Sequence, residues 1–188
     1  SFAYLVQDKL ENLRSTCHEI LELEDPDCCF NLLRASALVY LAESFTFDCY
    51  ESASKYIKES LEQLEPYYFE REKQRRQEIL NTFAFIKLVN KKELDKIKIF
   101  HPAEESLLEI IKGNHKNAVI ILNDLEKKNG FLTPMQYCYL GIAKNDITLI
   151  EKSITLFECA GNRFYCKFPK KMVVEFNKNG IIYEGGAI

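Results

Sequence analysis

Glu104-Glu105-Ser106-Leu107-Leu108-Glu109-Ile110-Ile111-Lys112-Gly113-Asn114 is the stretch that decides the fold. Its apolar residues Leu107, Leu108, Ile110 and Ile111 fall at helical spacing, and Gly113-Asn114 supplies a turn. A second periodic run follows with Ala118, Ile121, Leu122 and Leu125, and Asn129-Gly130 closes it. The cycle then returns with Thr133 to Ala143, a turn at Lys144-Asn145-Asp146, and Ile147 to Cys159. The turns at Lys112 and Lys144 lie about 32 residues apart, and a helix–turn–helix unit repeating at about 34 residues is the pattern of a tetratricopeptide-type solenoid. One such unit cannot bury its apolar face alone, so neighbours stack and leave a concave surface for a partner. The expected fold class is all-α, a tetratricopeptide-like helical-repeat superhelix.

Towards the N terminus, Phe2, Leu5, Val6, Leu10, Leu13, Cys17, Ile20 and Leu21 form a helical stripe over Ser1 to Leu23. Asp25-Pro26-Asp27 stops it, because proline breaks the hydrogen-bond ladder. Asp27 is expected to cap a helix from Cys28 to about Phe45, apolar nearly all round and therefore central. Asp48 is expected to cap Tyr50 to Leu64, with Ala53, Tyr56, Ile57 and Leu61 inward. Ala53 and Ala118 each sit just inside the second helix of a pair, about 65 residues apart, which predicts a repeat between them. That middle repeat is less regular. Pro66 suits a helix start, Tyr67 to about Val89 reads as one long helix, and its charge run Glu70 to Arg76 as a solvated face with i,i+4 pairs. Asn90 to Phe100 is a basic connector with room for a short helix.

The C-terminal end allows two readings. Met172 to Phe176 and Ile181 to Tyr183 fit a small β-hairpin around an Asn-Gly turn. Equally, Lys170 to Asn177 fits a last helix with Gly180 at its stop.

Composition narrows the function. Seven glycines and five prolines in 188 residues, with 47 % hydrophobic and 28 % charged residues, favour helix over sheet. A formal net charge of −3 gives no global field for nucleic acid or an anionic membrane. Seven scattered cysteines, with no C-x-x-C pair and several on apolar helix faces, read as buried, reduced thiols of a cytosolic protein. No apolar run reaches the roughly 18 residues of a membrane span. The first residue, Ser1, is not a methionine and already lies in a helical stripe, so residues 1–188 are expected to be a fragment of a longer chain whose N-terminal portion lies outside this sequence.

Motifs of catalysis are missing. There is no G-x-G-x-x-G, P-loop or G-x-S-x-G element, and His18, His101 and His115 lie too far apart for a metal set. No enzyme, cofactor or metal is expected. Recognition remains, and the candidates are aromatic or isolated polar residues on apolar helices: Arg34, Tyr40, Glu43, Phe47, Phe83, Lys87, Tyr137 and Tyr139. Arg34 and Glu43 weigh most, since a charge interrupting an apolar helix needs a partner or a groove.

The C-terminal third carries a resemblance. Tyr137-Cys138-Tyr139-Leu140-Gly141, Ser153-Ile154-Thr155-Leu156-Phe157 and Asn162-Arg163-Phe164-Tyr165-Cys166-Lys167-Phe168-Pro169 resemble the end of the arbitrium receptors, phage-encoded, peptide-sensing transcription regulators. Weaker likeness runs through Leu10 to Arg14, Phe47 to Glu51 and Glu78 to Asn90. The resemblance implies a homodimer with an N-terminal helix-turn-helix DNA-binding domain, outside this sequence, and a repeat superhelix that binds a short communication peptide. Peptide binding would alter the grip on DNA and tip the lysis–lysogeny choice in the bacterial host. The family's terminal peptide contacts map onto Asn162, Phe164 and Tyr165. Asn162 stands where the family usually has aspartate, Phe83 and Ala84 where it has paired asparagines, and Glu43 where a small polar residue is usual.

The expected peptide-binding set is therefore Arg34, Glu43, Phe47, Phe83, Lys87, Asn162, Phe164 and Tyr165. The alternative is a helical-repeat scaffold that binds another protein without peptide control.

Overall fold

The computed structural model describes residues 1–25, 29–65 and 69–180, and every regular element among them is helical. The chain divides into two compact units, Ser1–Lys98 and Ile99–Ile188.

The first unit holds α1 (Phe2–Val6), α2 (Leu10–Leu21), α3 (Asn31–Ser44), α4 (Tyr50–Glu62) and α5 (Glu70–Asn90). Helix α3 packs against all four of the others. Its composition explains the position: Ala35, Ala37, Leu38, Val39, Leu41, Ala42 and Ser44 are all buried, leaving no wide polar face. Its small residues let neighbours approach closely, and the Ser60 hydroxyl of α4 donates to the Ala35 carbonyl at 2.8 Å.

Several expectations need correction here. The stripe over Ser1 to Leu23 is two helices, because Asp8 turns left-handed at φ 61°. Leu5, Leu13 and Cys17 stay buried in one phase across the break, so periodicity alone does not reveal it. Helix α4 starts from Cys49 with no side-chain cap, so Asp48 does not serve as one. Pro66 and the Asp27 cap lie outside the described residues. In the charge run, the ion pairs Lys73–Glu70 and Arg75–Glu78 are spaced i,i+3, and Arg76 reaches Glu65 at 3.0 Å. Between the two helix pairs marked by Ala53 and Ala118, both fully buried, stands the single long α5 with a 3-10 turn at Leu94–Lys96, not another hairpin.

The second unit holds α6 (Pro102–Ile111), α7 (His115–Asn129), α8 (Pro134–Lys144), α9 (Ile147–Cys159) and α10 (Lys167–Asn179). Consecutive helices pack as α6–α7 and α8–α9 pairs, and α8 touches all four other helices. Local signals set the boundaries. Thr133 and Gln136 form a capping box with Pro134 in the first turn, and Asp146 accepts the Thr148 N–H at 2.9 Å to start α9. Gly141 permits the α8–α9 approach: a Cβ there would lie 2.6 Å from Ile150 Cγ1.

The end of the chain resolves towards helix. Met172 to Phe176 lies within α10, which Gly180 closes in a left-handed conformation at φ 68°. The hairpin is thus overturned, while Ile181 to Tyr183 lie outside the described residues. Phe168 and Met172, four residues apart, bury one helical face, and Phe168 meets Tyr139 edge to face at 6.1 Å.

Candidate functional site

Arg34 and Glu43 lie on α3, and each has acquired polar company. Arg34 Nη2 donates to the Leu23 carbonyl at 2.6 Å, which ties the start of α3 to the end of α2. Its Nε is enclosed without a hydrogen-bond partner among the described residues. Glu43 sits beside Tyr40, whose hydroxyl is pushed to a raised pKa by burial first and then by the Glu43 charge, with Arg75 opposing. Phe47 leaves α3 and meets Phe85 of α5 edge to face at 6.5 Å.

Phe83 and Lys87 belong together. Lys87 Nζ lies 4.2 Å from the Phe83 ring centroid and 2.9 Å from Glu93 Oε2, and its side chain is only 11 % exposed. Glu93 is held below the usual carboxylate range, chiefly by the Lys87 hydrogen bond, with Tyr50 and Lys58 adding to it. Tyr50 rises to about 12, from burial first and then from Glu93. Its hydroxyl is enclosed close to that carboxylate yet lacks a hydrogen bond of good geometry. Beside this cluster an open groove of about 580 Å³ runs along α4, lined by Tyr50, Ser54, Lys55, Lys58, Glu62 and Glu93 among others.

In the second unit Asn162 Oδ1 accepts the Tyr165 N–H at 3.1 Å, so its side chain shapes the turn before α10. Phe164 is 1 % exposed and packs edge to face on Tyr165 at 5.1 Å. It belongs to the core and presents no surface to a ligand in this structure, unlike the half-buried Tyr165. Tyr139 is also core, while Tyr137 remains half-buried with Lys152 Nζ 4.0 Å from its ring centroid. A separate groove of about 580 Å³ forms at the α6–α7 turn, where Glu109 accepts from Asn114 and Asn117.

The geometry thus gathers Phe83 with Lys87, Glu43 with Tyr40, Phe47 with Phe85, and Asn162 with Tyr165. Tyr50, Lys58 and Glu93 are additions. Glu93 had one sequence signal, an acid in a basic connector; Tyr50 had none, because an aromatic in a helix's first turn reads as packing.

Among the described residues no group of three or more His, Cys, Asp or Glu side chains is placed to hold a metal, and no helix is long and apolar enough to cross a membrane. The described cysteines are free thiols; Cys17, Cys138 and Cys166 are buried as expected and Cys49 is half-buried, but Cys29 and Cys159 are exposed, so burial does not hold for all of them.

Paired helices, with no strand among the described residues, define a helical-repeat protein. Residues 1–173 match the AimR transcriptional regulator-like family, and the chain belongs to it. An uncharacterized protein of Bacillus anthracis is 63 % identical over 187 residues, which take in 100 % of this chain and 69 % of that protein. A solved structure of phAimR with its ligand shares the fold with a TM-score of 0.80 at 17 % identity, over 92 % of this chain and 51 % of that one. This chain therefore spans about half the length of the phAimR chain.

Proposed function

We propose that this chain is the peptide-sensing repeat domain of an arbitrium-type transcription regulator in the bacterial cytoplasm. Family membership across residues 1–173 carries the reading, and the fold shared with a ligand-bound phAimR supports it. A short communication peptide would bind the concave groove. The proposed contacts are Arg34, Glu43, Phe47, Phe83 and Lys87 in the first unit and Tyr165 in the second, with Asn162 shaping the turn that carries Tyr165. Phe164 is assigned to the support of that turn.

DNA binding would reside in an N-terminal helix-turn-helix domain outside residues 1–188, and the regulator would act as a homodimer controlling the lysis–lysogeny choice. The peptide must prefer one conformation of the receptor, since equal affinity for two states shifts neither. No step of bond-making chemistry enters, so the protein works as a receptor.

Calorimetric titration with synthetic arbitrium-type peptides tests this. Saturable one-to-one heat, weakened by Lys87→Met and Arg34→Met, is the expected result. Absence of heat in both this chain and the longer receptor would overturn the peptide reading in favour of a protein-binding scaffold.

A further inference from the structure

The Glu93 carboxylate occupies a place built for an anion. Lys87, almost buried, pairs with it at 2.9 Å and is itself steadied over the Phe83 ring. Lys58 adds a second positive field, and the enclosed Tyr50 hydroxyl adjoins the same carboxylate.

Glu93 is nevertheless an awkward occupant. It satisfies the enclosed Tyr50 hydroxyl only poorly: the two groups are close neighbours, but their contact lacks good hydrogen-bond geometry. Its backbone is left-handed at φ 52°, as is that of Lys91 two residues earlier, in a region that favours glycine. Its own side chain stays 43 % exposed, and the α4 groove, lined by Tyr50, Lys58 and Glu93, opens beside it. The groove also carries Glu51, Glu59 and Glu62, but at its Glu93 end a carboxylate would meet Lys58 and Tyr50 and, once Glu93 swings aside, Lys87.

We propose that Lys87, Lys58 and Tyr50 form a carboxylate-binding site that Glu93 fills from within the chain, and that the C-terminal carboxylate of a bound peptide displaces Glu93 and releases the strained Lys91–Glu93 turn. That the incoming group belongs to a peptide rests on the function proposed above. The anion site itself does not, and the experiment separates the two.

Glu93→Ala empties the site by changing an exposed side chain. Thermal melting of this variant is followed in sodium acetate and in sodium chloride at matched ionic strength. Acetate is expected to raise the Tm saturably by about 2 °C over chloride, and the difference should vanish in Glu93→Ala/Lys87→Met. Equal effects of the two salts on the single variant, or an undiminished acetate effect in the double variant, overturn the site.

N-acetyl-alanyl-alanine and its C-terminal amide are then compared on the single variant. The acid should act at lower concentration than acetate and the amide not at all. An acid no better than acetate would assign the site to small free carboxylates and overturn the peptide half alone. In the wild-type chain, saturating acid should speed hydrogen exchange at the Lys92 amide, which donates to the Lys87 carbonyl at 3.0 Å. An unchanged rate overturns the displacement of Glu93.

Discussion

Arg14 lies over Phe45, its guanidinium carbon 3.9 Å from the ring centroid, while Nε and Nη2 donate to the Ser44 hydroxyl and carbonyl at 3.0 Å each. Phe45 is stacked in turn on Tyr56 at 5.9 Å, so one cation joins α2, the end of α3 and α4. Arginine suits this task because its planar fork donates twice while its face stacks.

Arg14→Lys should therefore lose most of the arrangement, because an ammonium cannot hold both acceptors and stack. A loss of about 1–2 kcal/mol is expected, read from urea unfolding monitored by circular dichroism. A change under a few tenths would show that the stack contributes little.

Phe164→Ala should cost about 3–5 kcal/mol, the range for emptying an aromatic site in a core. Tyr165→Phe, by contrast, should stay within about 0.5 kcal/mol as a change at a half-exposed position. Comparable small effects from both would place Phe164 at the surface, contrary to its 1 % exposure.

Gly141→Ala sets local propensity against packing. Alanine gains about 1 kcal/mol over glycine inside a helix. Its Cβ, however, would lie 2.6 Å from Ile150 Cγ1 and 2.9 Å from the Asp146 carbonyl oxygen, which is backbone and yields poorly. Net destabilisation of about 1–3 kcal/mol is expected, with a lower thermal midpoint as readout. A more stable variant would mean that α9 can slide away freely.

Two acids of α6 should give pH dependences of opposite sign. Burial raises Glu104 in the folded chain, so its contribution is complete below the unfolded carboxyl value of about 4.3 and is lost as pH climbs through the raised folded value. Glu109 is lowered, first by the Asn117 hydrogen bond, so its contribution is present above the unfolded value and lost as pH falls through the folded one. Urea midpoints measured across pH for wild type, Glu104→Gln and Glu109→Gln check this. Removing each acid should remove one slope, and identical profiles would refute the assignment.

The helix pairs of the second unit were legible because their turns carry Gly113-Asn114 and Asn145-Asp146 at matched spacing, and caps follow the same rules in any context. The break at Asp8 was hidden because apolar phase survives across it. The hairpin was a fair competitor for Met172 to Phe176, since alternation over five residues reads either way; the Phe168–Tyr139 contact that favours helix is tertiary. Asn162 was legible as a residue of interest, although its hydrogen bond to the Tyr165 N–H depends on a fold no motif states. The Lys87–Glu93 pairing depends on a left-handed turn at two non-glycine residues, which composition argues against.

Helices α3 and α8 each touch every other α-helix of their unit. An amide proton in the middle of either cannot reach solvent by peeling one neighbour away, because three more remain. Deuterium should enter α3 and α8 last, when a whole unit opens, while the short α1 labels early. Each half of the chain thus carries its own slow clock, and a ligand that grips one half alone would slow that clock and leave the other running.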